Sequence, residues 1–349
     1  GQYALLCARE RAGQGEDVVL AGLSSAADST EEERPGGGRL RIVRRRAQVY
    51  DRANFPARAL WTARTGLGLV WRLRRELRAA DEILFTGSPP FMIQLLVPLN
   101  LLLGKRLTYR ITDFHPECLI AELGERTPAA LRLFLRWTLA LRRRVDRFEV
   151  LGEDQRQRLL AIGIPPGRIE LRRDSSPVEI PPGTPPLARP AELAGHTILL
   201  YSGNFGVAHD HETFIEGYRR HHREGARQGG RRVALWLNAT GGKADRVEEI
   251  LRREGLPVHR SRPVPLEQLP SLLVTPDAHL ITLRDAFVGY VLPSKVYGCI
   301  RSGRGILYVG SPASDVHRLC EQGVAPGHYW RADANDPAAV ARALAEIAA

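Results

Sequence analysis

Short apolar runs alternate with longer stretches in which apolar positions return at helical spacing. "DVVLAGL", "RLRIVRR", "EILFTG", "RLTYRIT" and "RFEVLG" read as strands in the first half, with amphipathic segments between them. "TILLYSGNFG", "RVALWLNATGGK", "AHLITL" and "GILYVG" restart the pattern in the second half. This rhythm predicts an α/β chain of two doubly wound parallel sheets covered by helices. Between the halves, "RRDSSPVEIPPGTPPLARPAELAGH" is dense in proline and breaks the pattern, as a linker would. The expected division is a first domain over 1–173, a linker over 174–196 and a second domain over 197–349. The chain opens in a helical pattern, "GQYALLCARERAGQGE". A βα unit starts with a strand, so a strand and loop are expected ahead of Gly1. "STEEERPGGG" reads as an exposed loop.

With 349 residues, 44% of them hydrophobic, the chain is long enough for two cores. The longest apolar run, "FMIQLLVPLNLLLG", is too short to cross a bilayer and contains a proline and two amides, so it predicts a buried helix. The four cysteines, Cys7, Cys118, Cys299 and Cys320, are far apart in sequence and form no CxxC pair, which fits reduced thiols in a cytoplasm better than a zinc or redox centre. A formal net charge of +11 calls for a polyanionic partner: nucleic acid, an anionic membrane or a phosphorylated substrate. Of the 50 basic residues only Lys105, Lys243 and Lys295 are lysines. A lysine ammonium can approach a phosphate as a compact point charge, whereas arginine's planar fork needs more room.

Three strand-end segments in the second half suit an anion. "LLYSGNFGVAHDHETF" runs from a strand through the turn Gly203, Asn204, Phe205, Gly206 into a helix, where backbone amides can approach a ligand closely. "LNATGGKAD" repeats the design and puts Lys243 just past two glycines. In "GYVLPSKVYGCIRSGRG", Pro293 suits the first turn of a helix, so the amides of Ser294 and Lys295 fall among the unpaired donors at its positive end. Each segment alone also reads as a plain βα turn or a solvated lysine. Three at the carboxyl ends of strands in one parallel sheet point to one crevice and to a diphosphate.

The block "YSGNFGVAH…LWLNATGGK…HLITLRDAFVGYVLPSKVYGCIRSGRGILYVGS" resembles the nucleotide-sugar-binding half of family 4 retaining glycosyltransferases, in the subgroup with Gly-Asn-x-Gly and Pro-Ser-Lys-x-Tyr-Gly. "FTGSPPFMIQLLV" and "YRITDFHPECLIAELG" resemble that subgroup's first-half segments. The resemblance implies a GT-B fold, two Rossmann-like domains facing across a cleft, with the donor on the second. It extends the donor set to His209 and Tyr297. Many members hold the diphosphate with an Arg and a Lys after the second domain's first strand. Asn204 and His209 stand there, leaving Lys295 as the replacement cation. Many also carry two glutamates eight residues apart, the second gripping the ribose, and ungapped counting puts Tyr290 and Gly298 in those places. Ribose recognition must therefore be built differently.

Asp113 follows the strand "RLTYRIT" and is a candidate to orient the acceptor hydroxyl or accept its proton; His115 and Glu117 flank Pro116 beside it. Capping the next helix or pairing an arginine fits Asp113 equally. "PAALRLFLRWTLALRRR" and "TARTGLGLVWRLRREL" set arginines beside apolar positions and read either as core helices with a solvated face or as elements that lie on an anionic membrane and dock a lipid-linked acceptor. The implied reaction transfers a sugar from a nucleoside diphosphate-sugar to a saccharide or glycoconjugate. No cofactor is expected, and no essential metal, since no Asp-x-Asp occurs. Two other readings stay open: a sugar-nucleotide epimerase of the same shape, and a polyanion-binding protein without enzymatic activity. The second lacks a recognisable nucleic-acid-binding module.

Overall fold

The computed structural model describes residues 2–47, 55–87, 89, 91–228 and 231–349. The chain forms two compact units. The first holds Gly1–Glu117, Arg126–Leu151 and Leu159–Arg172; the second holds Cys118–Glu125, Gly152–Arg158 and Arg173–Ala349.

In the first unit, α1 (Gln2–Gly13) leads into β1 (Asp17–Ser24), β2 (Ser29–Glu33) and β3 (Arg39–Arg46), which form a sheet in the order β1-β3-β2. β1 runs parallel to β3, and β2 antiparallel. The expected loop over 29–33 is thus a strand. Sequence pattern hides it because its side chains are charged. Glu31 pairs with Arg44, Glu32 with Arg39 at 2.8 Å, and Glu33 with Arg9 at 2.8 Å. α2 (Phe55–Arg72) and α3 (Arg74–Ala79) precede the parallel sheet β4-β5-β6-β7, built from Glu82–Thr86, Arg106–Ile111, Arg147–Val150 and Ile169–Leu171. Glu82 on β4 accepts from Arg11 of α1 at 3.0 Å and so ties the two sheets together.

α4 (Met92–Leu103) lies between α2 and α6 (Ala129–Arg142). It meets α2 where a Cβ on Gly66 would stand 2.5 Å from Leu95, and α6 through a Gln94–Thr138 hydrogen bond of 2.9 Å. The expectation of a buried helix holds for Met92, Ile93, Leu96 and Val97, but Leu101 and Leu102 at its end are 66% and 86% exposed. No helix among the described residues is long and apolar enough to cross a membrane.

Among its described residues the second unit holds one six-stranded sheet, all its strand pairs parallel: β8 (Thr197–Asn204), β9 (Val233–Thr240), β10 (Val258–Ser261), β11 (Ala278–Thr282), β12 (Gly305–Val309) and β13 (Tyr329–Ala332), in the order β10-β9-β8-β11-β12-β13. The continuous apolar run of β8 follows from burial on both faces. Leu199 and Tyr201 enter the core under α8 (Glu212–Gln228) and α13 (Pro337–Ala348), while Ile198 and Leu200 pack with Trp236 and Leu272 on the other side. The chain moves outward from β8 to β10, then returns to β11 on β8's other side. The direction of winding therefore reverses between β8 and β11, and in sheets of this kind ligands bind outside the carboxyl ends at that reversal.

The proline-rich segment is docked along this unit. Leu193 is buried in its core, Leu187 donates its amide to Thr275 at 2.8 Å, and Arg189 pairs with Asp277 at 2.9 Å.

Candidate functional site

The carboxyl ends of β9, β8 and β11 bring the three anion-friendly segments together. At the end of β8, Gly203 turns the chain at a φ of 103°, a conformation that favours glycine, and Asn204 and Val207 are exposed. Phe205 points inward instead, stacked on Tyr201 with ring centroids 4.1 Å apart, so in the expected donor turn it is the anchor. Gly241, before α9 (Gly242–Arg253), brings the second turn against the first: a Cβ there would sit 2.8 Å from Asn204 Oδ1 and 2.9 Å from the Phe205 carbonyl oxygen.

Lys243 donates to the carbonyls of Val207 at 3.1 Å and His209 at 2.9 Å. Its ammonium thus holds the β8–α8 loop in place, and burial and Arg284 push its pKa down. From the β11 side, the Arg284 amide bonds the Ala208 carbonyl at 2.9 Å. His209 is buried, with Nδ1 donating to the Thr282 carbonyl at 2.7 Å and its ring edge-on to Tyr201 and Phe205. Burial, with the nearby Lys295, pushes it down to about 3, so the imidazole is neutral and supplies no cation.

The Pro-Ser-Lys segment leads into α11 (Lys295–Arg301). Pro293 is buried and Ser294 exposed. The first backbone bonds here run from Val296 to Pro293 and from Tyr297 to Ser294, at 3.1 and 3.3 Å; the amides of Ser294 and Lys295 make none among the described residues. The Lys295 side chain turns into the unit. Its Nζ is shielded from solvent, has no hydrogen-bond partner, and lies 3.2 Å from the centroid of the Tyr201 ring. Burial pushes this ammonium from 10.5 down to about 7, and the Cys299 thiol offsets this only in part. Tyr297 is buried, with Arg173 and Asp174 around its hydroxyl.

The two positions that depart from the family's glutamates are filled. Tyr290 lies under the Arg158 guanidinium, 4.3 Å from ring centroid to Cζ. Gly298 is buried, and a Cβ there would already be 3.2 Å from Leu273. No larger side chain fits without displacing that leucine.

In the first unit, Asp113 follows β5 beside Gly87, and burial raises its pKa from 3.8 to about 6. His115 is half-buried, its ring 6.3 Å from Phe91 and its carbonyl accepting from Arg142 at 3.1 Å. Glu117 is placed differently from an open catalytic carboxylate: it is buried, and both its oxygens accept from Arg142 of α6. The "TGSPPF" segment includes Ser88 and Pro90, which lie outside the described residues. Sequence reasoning missed Tyr201, Thr282 and Arg284. Tyr201 was hidden in an apolar run, but Arg284, two residues past the end of "AHLIT", was detectable by its place.

No protein-family model matches the chain. It is 23% identical over 282 residues to the "Probable glycosyltransferase WbjE" of Pseudomonas aeruginosa, covering 79% of this chain and 68% of that protein. Among solved structures it is similar to the trehalose-6-phosphate synthase OtsA, with a TM-score of 0.62, 12% identity and coverage of 98% of this chain and 85% of the other. It is also similar to the UDP-forming α,α-trehalose-phosphate synthase of Burkholderia vietnamiensis, with a TM-score of 0.58, 13% identity and coverage of 94% and 85%. The α/β architecture and these neighbours establish the fold: the chain is built on the GT-B plan of two Rossmann-like units.

Proposed function

We propose that the protein is a retaining glycosyltransferase of the family 4 type, which moves a sugar from a nucleoside diphosphate-sugar to a hydroxyl of a saccharide or glycoconjugate. The observation that carries this reading is the Lys295 ammonium, buried without a hydrogen-bond partner beneath the winding reversal, with the unbonded amides of Ser294 and Lys295 at the start of the same helix. An uncompensated buried cation is costly, and an anion beside it offsets that cost. The likeness to WbjE supports sugar transfer as the chemistry.

In this reading the second unit binds the donor. The two amides and the Gly203–Gly206 turn face the diphosphate, Lys295 acts on it through the field of its charge, and Lys243 keeps the turn in place. These groups stabilise the negative charge that grows as the bond from the anomeric carbon to the diphosphate oxygen breaks. The acceptor oxygen forms its bond to the same carbon on the face the diphosphate leaves, and its proton passes to the departing phosphate. Asp113 in the first unit orients the acceptor hydroxyl, with His115 beside it, while Glu117 with Arg142 fixes that segment. The diphosphate is neutralised by protein groups, so chelators leave the activity intact.

The acceptor is lipid-linked in this proposal, and the protein works in the cytoplasm on the inner face of the membrane. Leu101 and Leu102 on α4, Leu133 and Trp137 on α6, and Trp71 on α2 are all exposed, and Arg72, Arg132 and Arg136 on α2 and α6 are exposed as well. Apolar and aromatic side chains interspersed with cations suit an anionic bilayer surface. The test is incubation with nucleoside diphosphate-sugars and a membrane extract, with chelator present. Release of one nucleoside diphosphate together with a product that keeps the donor's anomeric configuration is expected; inversion, or interconversion of the sugar nucleotide without transfer, would overturn the reading.

A further inference from the structure

A second cationic recess lies at the opposite, amino-terminal edge of the sheet in the same unit. His196 precedes β8, Arg232 precedes β9, the Gly255-Leu256-Pro257 turn precedes β10, and His222 and Arg223 come from the last part of α8. Together they line a cavity of about 500 Å³. The four polar side chains are all arginine or histidine.

Their hydrogen bonds leave cationic capacity turned to the cavity. Arg232 is half-buried; its carbonyl accepts from the Thr197 amide at 3.0 Å, while its guanidinium makes no hydrogen bond or ion pair among the described residues. Glu216 shares its charge among Arg223 at 3.3 Å, Arg219 and Arg220, and Glu254 pairs with Arg219, so neither acid meets Arg232. His222 is buried and bonds the Val233 carbonyl through Nε2 at 2.9 Å, and His196 bonds the Ala194 carbonyl through Nδ1 at 3.2 Å. Burial, together with His221, Arg232 and His196, pushes His222 down to about 4, so it is neutral and the positive charge of the recess rests on Arg232 and Arg223. Leu256 and Pro257 give the recess an apolar wall.

We infer that this recess binds a small phosphate-bearing anion, gripped by Arg232 and Arg223, at a site separate from the carboxyl-end turns. A guanidinium fork can donate to two phosphate oxygens at once, and the His196 ring lines the same recess. The apolar wall gives room for the organic part of a phosphomonoester, and the inference is independent of the transfer reaction.

Calorimetry with inorganic phosphate and with glycerol 2-phosphate tests it on the full chain, using wild type, Arg232→Gln and Arg223→Glu. The expected result is one saturable site in wild type, weakened about tenfold or more in either variant, with thermal stability and nucleoside diphosphate binding unchanged. Tighter binding of glycerol 2-phosphate than of phosphate means that Leu256 and Pro257 contact the organic moiety; equal binding means that the phosphate alone is recognised. Absence of saturable binding, or equal binding in wild type and both variants, overturns the inference. Should Arg232→Gln fail to fold, the exposed Arg223→Glu decides alone.

Discussion

Asp154 and Asp315 cap each other's helices. The Asp315 amide, the first of α12 (Asp315–Gly323), donates to Asp154 Oδ2 at 3.1 Å, while Asp315 Oδ2 accepts from the Glu153 amide, the first of α7 (Glu153–Ala161), at 2.6 Å. Arg173 adds an ion pair to Asp315 at 3.0 Å. Two carboxylates this close repel, and burial followed by the Asp315 charge raises the pKa of Asp154. Donated amides and arginines outweigh that repulsion. The clasp also explains Gly152, where a Cβ would stand 2.5 Å from Asp315 Oδ2 and 2.6 Å from Asp154 Oδ1.

Removing either cap therefore loosens the second unit. Asp315→Ala, which also strands Arg173, should cost about 2–4 kcal/mol, and Asp154→Ala about 1–2 kcal/mol. The double variant should lose less than the sum, because each change breaks the same reciprocal arrangement. Denaturant unfolding of the single and double variants measures this, and strict additivity would show that the two caps are independent.

Lys295 predicts a pH-dependent stability. Its folded pKa, about 7, lies below the ordinary lysine value of 10.5, so between these values the unfolded chain binds the proton more tightly. Stability from this group therefore rises with pH across that window, and the cost of burying the charge is present in full below about 7. Lys295→Met should stabilise the protein by about 1–3 kcal/mol at pH 7, with the gain shrinking toward pH 10. A loss of stability at pH 7 would mean that the ammonium over Tyr201 is a net stabilising contact.

In the proposed reaction, Asp113 sets the acid side of the activity. Raised by burial to about 6, it is ionised and able to orient a hydroxyl above that pH and protonated below it. Transfer should fall as pH drops through about 6. Asp113→Asn should slow turnover by about 10²-fold or more and abolish that limb, with donor affinity kept. An unchanged pH profile in the variant would remove Asp113 from the reaction.

Lys243 should behave as a positioning residue. Lys243→Ala frees the Val207 and His209 carbonyls and should weaken nucleoside diphosphate binding by about threefold to tenfold. It should also speed amide exchange across 203–209, which the loss of a direct phosphate contact alone would leave unaltered.

The second unit was the more legible of the two. Its strands are apolar on both faces, and its glycines mark turns, Gly203 by its positive φ and Gly241 by its positive φ and the close approach of the Phe205 backbone. β2 was illegible because its glutamates find arginines in other elements, a pairing no local pattern announces. The site was read in part. The three segments were identified from glycine, proline and lysine placement. The direction of each side chain depends on tertiary packing: Phe205 and Lys295 turn inward to Tyr201, Lys243 reaches across to carbonyls of the neighbouring loop, and Glu117 meets an arginine on another helix.

The most direct test of the central claim is calorimetric titration with UDP, GDP, TDP, ADP and CDP near pH 7.5, in buffers of differing ionisation enthalpy and without metal. A diphosphate near Lys295 raises its depressed pKa, so one nucleotide should bind with net proton uptake. Lys295→Met should abolish the uptake and weaken binding about tenfold, while Lys105→Ala changes neither. Binding without proton uptake, equal effects of the two lysine substitutions, or no binding by any of the five would contradict the placement of the donor at the Pro-Ser-Lys turn.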